Sequence, residues 1–101
     1  MPKTLTIKYA CDITAARAVS TGDFTGFDRW IGKLTNDWLA AEHDYRCARD
    51  SASNAHHAAR YRRRARKAAN DLKAMEAAQA AAWTARNKVL LASAEAAAKV
   101  A

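Results

Sequence analysis

Proline and glycine are almost absent from the sequence, and neither occurs after Gly32. The 101 residues include one proline, Pro2, and three glycines. Because these two residues interrupt helices most strongly, their absence from the rest of the chain favours long helices. The many alanine, arginine, lysine and glutamate residues favour the same structure. We therefore predict a single all-α domain over residues 1–101, a helical hairpin or small helical bundle with a long C-terminal helix.

Cysteine is also scarce, and long apolar runs are missing. The two cysteines, Cys11 and Cys47, are too few for a disulfide framework. No run of about 18 apolar residues is present, so we expect no membrane span. The opening residues MPKTLTIKYACD lack the uninterrupted apolar core of a signal peptide. These absences lead us to expect a cytoplasmic protein that does not associate with a membrane.

Acidic residues are scarce in the second half of the chain only. Residues 1–53 contain seven Lys/Arg and seven Asp/Glu, whereas residues 54–101 contain ten Lys/Arg and three Asp/Glu. The whole net charge of +7 therefore belongs to the second half. Such an asymmetry indicates a nucleic-acid ligand, an anionic surface or an acidic partner.

Residues 1–26 are predicted to form an arm and a loop. In TLTIKYA, residues 4–10, apolar and polar side chains alternate, which is typical of a strand. We therefore expect a short N-terminal strand-like arm. Asp12 is predicted to cap a short helix over residues 13–19, and residues 20–26 to form a loop.

Residues 27–50 are predicted to form the first long helix, beginning near Thr25 or Asp28. A stripe of residues at helical spacing should face the core: Trp30, Leu34, Trp38, Ala41, Tyr45 and Ala48. The three tryptophans of the chain should supply most of its large apolar area. Residues 51–54 are the predicted turn, with Asn54 as the N-cap of the next helix.

Residues 54–101 are predicted to form a basic, alanine-rich second helix. Its apolar stripe has the 3–4 spacing of a coiled coil: Ala58, Tyr61, Ala65, Ala68, Leu72, Met75, Gln79 and Ala82. Trp83 and Leu90 continue this face, and Arg86 interrupts it. An unbroken helix would be about 70 Å long, against about 35 Å for the first. Either it breaks near residues 86–88 and folds back, or a homo-oligomer or an obligate partner covers the remainder.

The stretch RYRRRARK, residues 60–67, is the strongest functional signal. Its cationic side chains are the predicted nucleic-acid-binding residues: Arg60, Arg62, Arg63, Arg64, Arg66 and Lys67. On a helical wheel four of them spread over the face opposite the apolar stripe, namely Arg62, Arg63, Arg66 and Lys67, while Arg60 and Arg64 flank the stripe. Guanidinium groups bind phosphates in a bidentate manner, so we predict contacts with the phosphates of DNA or RNA.

Other interpretations of the same cluster remain open. The chain could be a small accessory or inhibitor protein of the kind that phages and mobile elements encode, docking on an acidic or ribonucleoprotein surface. It could also be a structural coiled-coil subunit. A solvated helix face or a basic localisation signal would have the same composition.

Candidate catalytic and metal-binding residues are few. His43 and Cys47 are four residues apart and therefore share a helix face, where Cys11, His56 or His57 could complete a zinc site. The paired C-x-x-C spacing of such sites is missing. A Cys47–His43 nucleophile and base would need an orienting group and a pocket. We therefore predict a binding protein that is not an enzyme and has no metal or cofactor.

Overall fold

The computed structural model describes residues 6–51 and 55–100, and within them the chain forms three α-helices and no strand. These helices are α1 (Ile7–Thr21), α2 (Thr25–Asp50) and α3 (Ala58–Val100), and a 3₁₀ turn at Ala55–His57 precedes α3. The all-α prediction is confirmed. Among the described helices, none combines the length and the apolar character that crossing a membrane requires.

The predicted N-terminal strand is wrong over residues 7–10, which belong to α1. Thr6 is the N-cap of this helix, and its hydroxyl accepts the backbone N–H of Tyr9 at 3.2 Å. Of the alternating apolar residues, Ile7 packs against the core and Tyr9 is exposed, whereas the buried side chains of α1 follow a helical stripe: Ala10, Cys11, Thr14 and Ala18. A short alternating run is compatible with both periods, so packing against α3 decides between them. Thr4 and Leu5 lie outside the described residues.

The connection between α1 and α2 is shorter than the predicted loop. Gly22 ends α1 in a left-handed conformation, φ 78°, and its N–H donates to the Ala18 carbonyl at 2.9 Å. Asp23 then accepts the backbone N–H and the hydroxyl of Thr25 at 3.0 and 2.6 Å. These two hydrogen bonds lower the pKa of the Asp23 carboxyl. Helix α2 begins at Thr25 and ends at Asp50, within the predicted limits.

Helices α2 and α3 form an antiparallel hairpin whose interface consists mainly of alanine. The predicted stripe residues are at its centre: Leu34, Ala41, Ala48, Ala65, Ala68, Met75 and Ala82 are all buried. Small side chains let two helix axes approach closely. The predicted turn is only partly described, because Asn54 and its two predecessors lie outside the described residues.

The tryptophans contribute less to the core than the sequence predicts. The large side chains that are fully buried are Phe27 and Met75. Trp38 and Trp30 are partly buried, and Trp83 is 58 % exposed. An interface lined by alanine brings the helices too close to seat an indole ring between them, so the tryptophans lie at its edges.

Helix α1 packs along α3 in the same direction. Near its start, the Cys11 Sγ lies 3.9 Å from the Met75 Sδ. Near its end, the Arg86 Nη1 donates to the carbonyls of Val19 and Ser20 at 3.0 and 3.3 Å. Arg86, which interrupts the apolar stripe in the sequence, therefore places a cation on the C-terminal carbonyls of α1.

Helix α3 continues through residues 86–88 without the break that was one alternative. Helix α1 provides cover for α3 that the sequence prediction did not include. This cover ends at Arg86, and every residue from 87 to 100 is exposed.

Candidate nucleic-acid interface

The predicted cluster lies in the first turns of α3, directly after the 3₁₀ turn. This part of the helix is fixed by its inner side, where Ala65 and Ala68 are buried against α2 and Tyr61 is partly buried. All six predicted cationic residues are exposed. Alanines on the inside and long cationic side chains on the outside therefore give this segment two faces of opposite character.

Two of the six cations are engaged by neighbouring groups, and we call them the inner pair. The Lys67 Nζ lies 2.7 Å from a carboxylate oxygen of Asp71, one helical turn away. The Arg64 guanidinium lies over the ring of Tyr61 at 5.7 Å from its centroid. The sequence prediction placed Lys67 on the outer face, whereas the structure turns it toward α2.

The inner pair lines a groove of about 340 Å³ between α2 and α3. Three carboxylates, those of Asp37, Asp44 and Asp71, line the same groove, above a floor formed by Leu34, Ala41 and Ala68. Asp37 is paired with Lys33 at 2.8 Å, so the carboxylates of Asp44 and Asp71 balance the inner pair, and the groove offers a polyanion no excess of positive charge. The inner pair is therefore the weaker half of the predicted site.

The remaining arginines point away from the bundle. Arg62, Arg63 and Arg66 are exposed, and none of them forms an ion pair with any described residue. Arg60 is likewise unpaired and lies at the edge of this surface. Lys73, seven residues after Arg66, is exposed two helical turns further along. We call Arg62, Arg63, Arg66 and Lys73 the outer face.

The sequence prediction missed Lys73 because it followed the dense run and stopped at its end. The heptad spacing from Arg66 is the signal that would have found it. With Lys73 included, the outer face extends about 16 Å along α3, as the helical rise requires.

One acidic side chain borders the outer face. Between residues 58 and 88, α3 contains two acidic residues, Asp71 and Glu76. Asp71 lies in the groove, whereas Glu76 is exposed three residues after Lys73 and is therefore its neighbour on the helix surface. The outer face is therefore free of acidic side chains from Arg62 to Arg66 and has one beside Lys73.

The position of these charges opposes helix stability. Three pairs of like charge stand four residues apart: Arg60 with Arg64, Arg62 with Arg66, and Arg63 with Lys67. Each such pair destabilises a helix by about 0.2–0.5 kcal/mol. Arg60 alone among these cations stands in the first turn of α3, where the positive end of the helix dipole disfavours a cation. A bound anion would relieve both effects.

The cysteines form no second site. The Cys47 Sγ lies 3.6 Å from the His43 Nε2, but Cys11 is buried against Met75 in another part of the bundle. Burial raises the pKa of the Cys11 thiol, and the charges of Asp12 and Asp71 raise it further. A thiol with a raised pKa is a poor nucleophile. Within the described residues no group of three His, Cys, Asp or Glu side chains is placed to hold a metal ion.

Together the fold and this surface define a three-helix protein with one cationic helix face. We compared the chain with protein-family models, curated proteins and solved structures, and none of them matches it significantly.

Proposed function

We propose that the protein binds nucleic acid through the phosphates, using the outer face of α3. The observation that supports this most strongly is the exposure of Arg62, Arg63, Arg66 and Lys73 on one helix face with no ion pair to any described residue. Guanidinium groups without a partner in the described part of the chain are available for bidentate contacts with phosphate oxygens. The role is one of binding, with no catalytic step.

The electrostatic cost of the cluster supports the same role. Like charges one helical turn apart lower the stability of the free protein. A helix face whose only role is to stay in contact with water would not require so many like charges in one segment. A polyanion that binds the outer face removes this repulsion and releases the counterions condensed on its phosphates.

Nucleic acid is favoured over an acidic protein surface by the length and uniformity of the outer face. Four cations along about 16 Å of one helix match a ligand whose negative charges repeat at regular intervals.

Fluorescence anisotropy on labelled mixed-sequence duplex DNA and duplex RNA, over a series of salt concentrations, tests the proposal. Four phosphate contacts give a slope of log K against log salt of about −3 to −4. Arg62→Glu combined with Arg66→Glu should abolish binding, and circular dichroism should show that the helices persist. Failure of the wild-type protein to bind either duplex at low salt would contradict the proposal.

A further inference from the structure

A neutral polar side chain stands among the cations of the outer face. Asn70 is exposed on α3, and its neighbours one helical turn away are Arg66, Lys67, Lys73 and Ala74. Three of these four neighbours are cationic. Among these side chains the Asn70 amide alone both donates and accepts hydrogen bonds.

Nothing in the described part of the chain engages this amide. The Asn70 side chain forms no hydrogen bond with any described residue, whereas Thr84 of the same helix donates to the Ala80 carbonyl at 3.1 Å. Asparagine is also a weaker helix former than alanine, the commonest residue of α3. The amide therefore adds nothing to the helix, and its donors and its acceptor are available to a ligand.

Cations stand on both sides of Asn70. Successive residues of an α-helix are rotated by about 100°, so Arg62 and Arg63 point about 100° apart, and Asn70 points between them. Ala77, two turns further on, lies on the same strip and is exposed. Glu76 points about 40° outside the Arg62 edge. The strip therefore has a short polar centre between two long cationic edges, with no carboxylate beside Asn70.

These dimensions match the major groove of B-form DNA. That groove is about 12 Å wide, and an α-helix with its side chains measures about 10–12 Å across. A helix centred in it places its two edges next to the phosphates of the two strands and its centre next to the base edges. The major groove of A-form RNA is deep and narrow, and side chains do not read it. Because Ala65 and Ala68 are packed against α2, α3 can enter a groove only by its outer side.

We propose that the outer face of α3 lies in the major groove of duplex DNA and that Asn70 reads an adenine there, an inference that rests on the proposed function. Asparagine makes a bidentate contact with adenine, in which the amide oxygen accepts from the N6 amino group and the amide nitrogen donates to N7. Arg62 and Arg63 contact the phosphates on either side of the groove. The cations thus supply affinity, and Asn70 supplies sequence preference.

Selection from a pool of duplex DNA with a randomised centre, followed by fluorescence anisotropy, tests the proposal. The wild-type protein should enrich an A·T pair at a fixed position and bind the enriched duplex about tenfold or more tightly than a shuffled one. Asn70→Ala should lose this preference. It should keep the affinity for the shuffled duplex and the salt dependence, because it removes no charge. Alanine is the better helix former, so the variant keeps its fold.

Asn87→Ala is the matched control. Asn87 is exposed on the same helix about 25 Å beyond Asn70, so this variant should keep the wild-type preference. Equal binding of the enriched and shuffled duplexes by the wild-type protein, a preference that survives Asn70→Ala, or equally tight binding of the enriched sequence as duplex RNA would each overturn the inference. Each of these results leaves phosphate binding intact, whereas a protein that binds neither duplex at low salt overturns the proposed function as well.

Discussion

Residues 58–86 of α3 include all of its buried side chains and pack against α1 and α2, whereas residues 87–100 of the same helix are all exposed. In the covered part the inner side is filled by alanine and Met75, and the charges crowd the outside. In the uncovered part three charged residues occupy one face, and the apolar face is exposed. One continuous helix therefore presents two different surfaces, a cationic one near its start and an apolar one near its end.

The largest expected effect comes from truncating the core of the covered part. Met75 is fully buried, so Met75→Ala should lower the free energy of unfolding by about 2–5 kcal/mol. Leu91→Ala, in the uncovered part and off its apolar face, should change it by less than about 0.5 kcal/mol. Urea denaturation of both variants measures the difference. Equal effects would mean that the two parts of α3 are equally packed.

The end of the covered part is set by Arg86. Arg86→Met removes its hydrogen bonds to the Val19 and Ser20 carbonyls. Because hydrogen bonds from charged groups contribute about 1.5–3 kcal/mol when buried and this one is partly exposed, we expect a loss of about 1 kcal/mol. Hydrogen exchange should accelerate in α1 before it does in α2. Lys88→Met, one half-turn further along, should leave the exchange of α1 unchanged.

The smallest expected effect is a gain in stability. Arg62→Ala together with Arg66→Ala removes the like-charge contacts of Arg66 with Arg62 and Arg63, which should raise the free energy of unfolding by about 0.5–1 kcal/mol. Arg64→Ala together with Lys67→Ala removes the same number of charges but also the contacts with Tyr61 and Asp71. Thermal melts at low salt should show increased stability for the Arg62→Ala, Arg66→Ala variant only. If neither variant is more stable than the wild type, repulsion between these cations does not destabilise α3.

The helical hairpin could be predicted from the sequence because its signals are long and periodic. The stripes of α2 and α3 recur over many turns, and Leu34, Ala41, Ala65 and Met75 are buried as predicted. The strand prediction failed over Ile7 to Ala10 because four residues of alternation do not distinguish a strand from a helix that packs on α3.

The sequence was sufficient to locate the candidate site but not to separate the inner pair from the outer face. Six cations in eight residues mark the place, and all six are exposed. The pairing of Lys67 with Asp71 has the i,i+4 spacing of a helical ion pair, so the sequence contained this signal and the prediction overlooked it. The groove with Asp37 and Asp44 depends on how α2 lies against α3, which no local pattern encodes. The cover that α1 provides was missed for the same reason.

Whether the outer face of α3 binds the phosphates is tested by comparing the salt dependence of nucleic-acid binding for two variants of equal charge. Arg62→Ala with Arg66→Ala should flatten the slope of log K against log salt by about two, because two phosphate contacts are lost. Arg64→Ala with Lys67→Ala should flatten it by less than about one, since this pair is already engaged within the protein. Equal flattening by the two variants would contradict the account, because binding would then depend on total charge and not on the outer face.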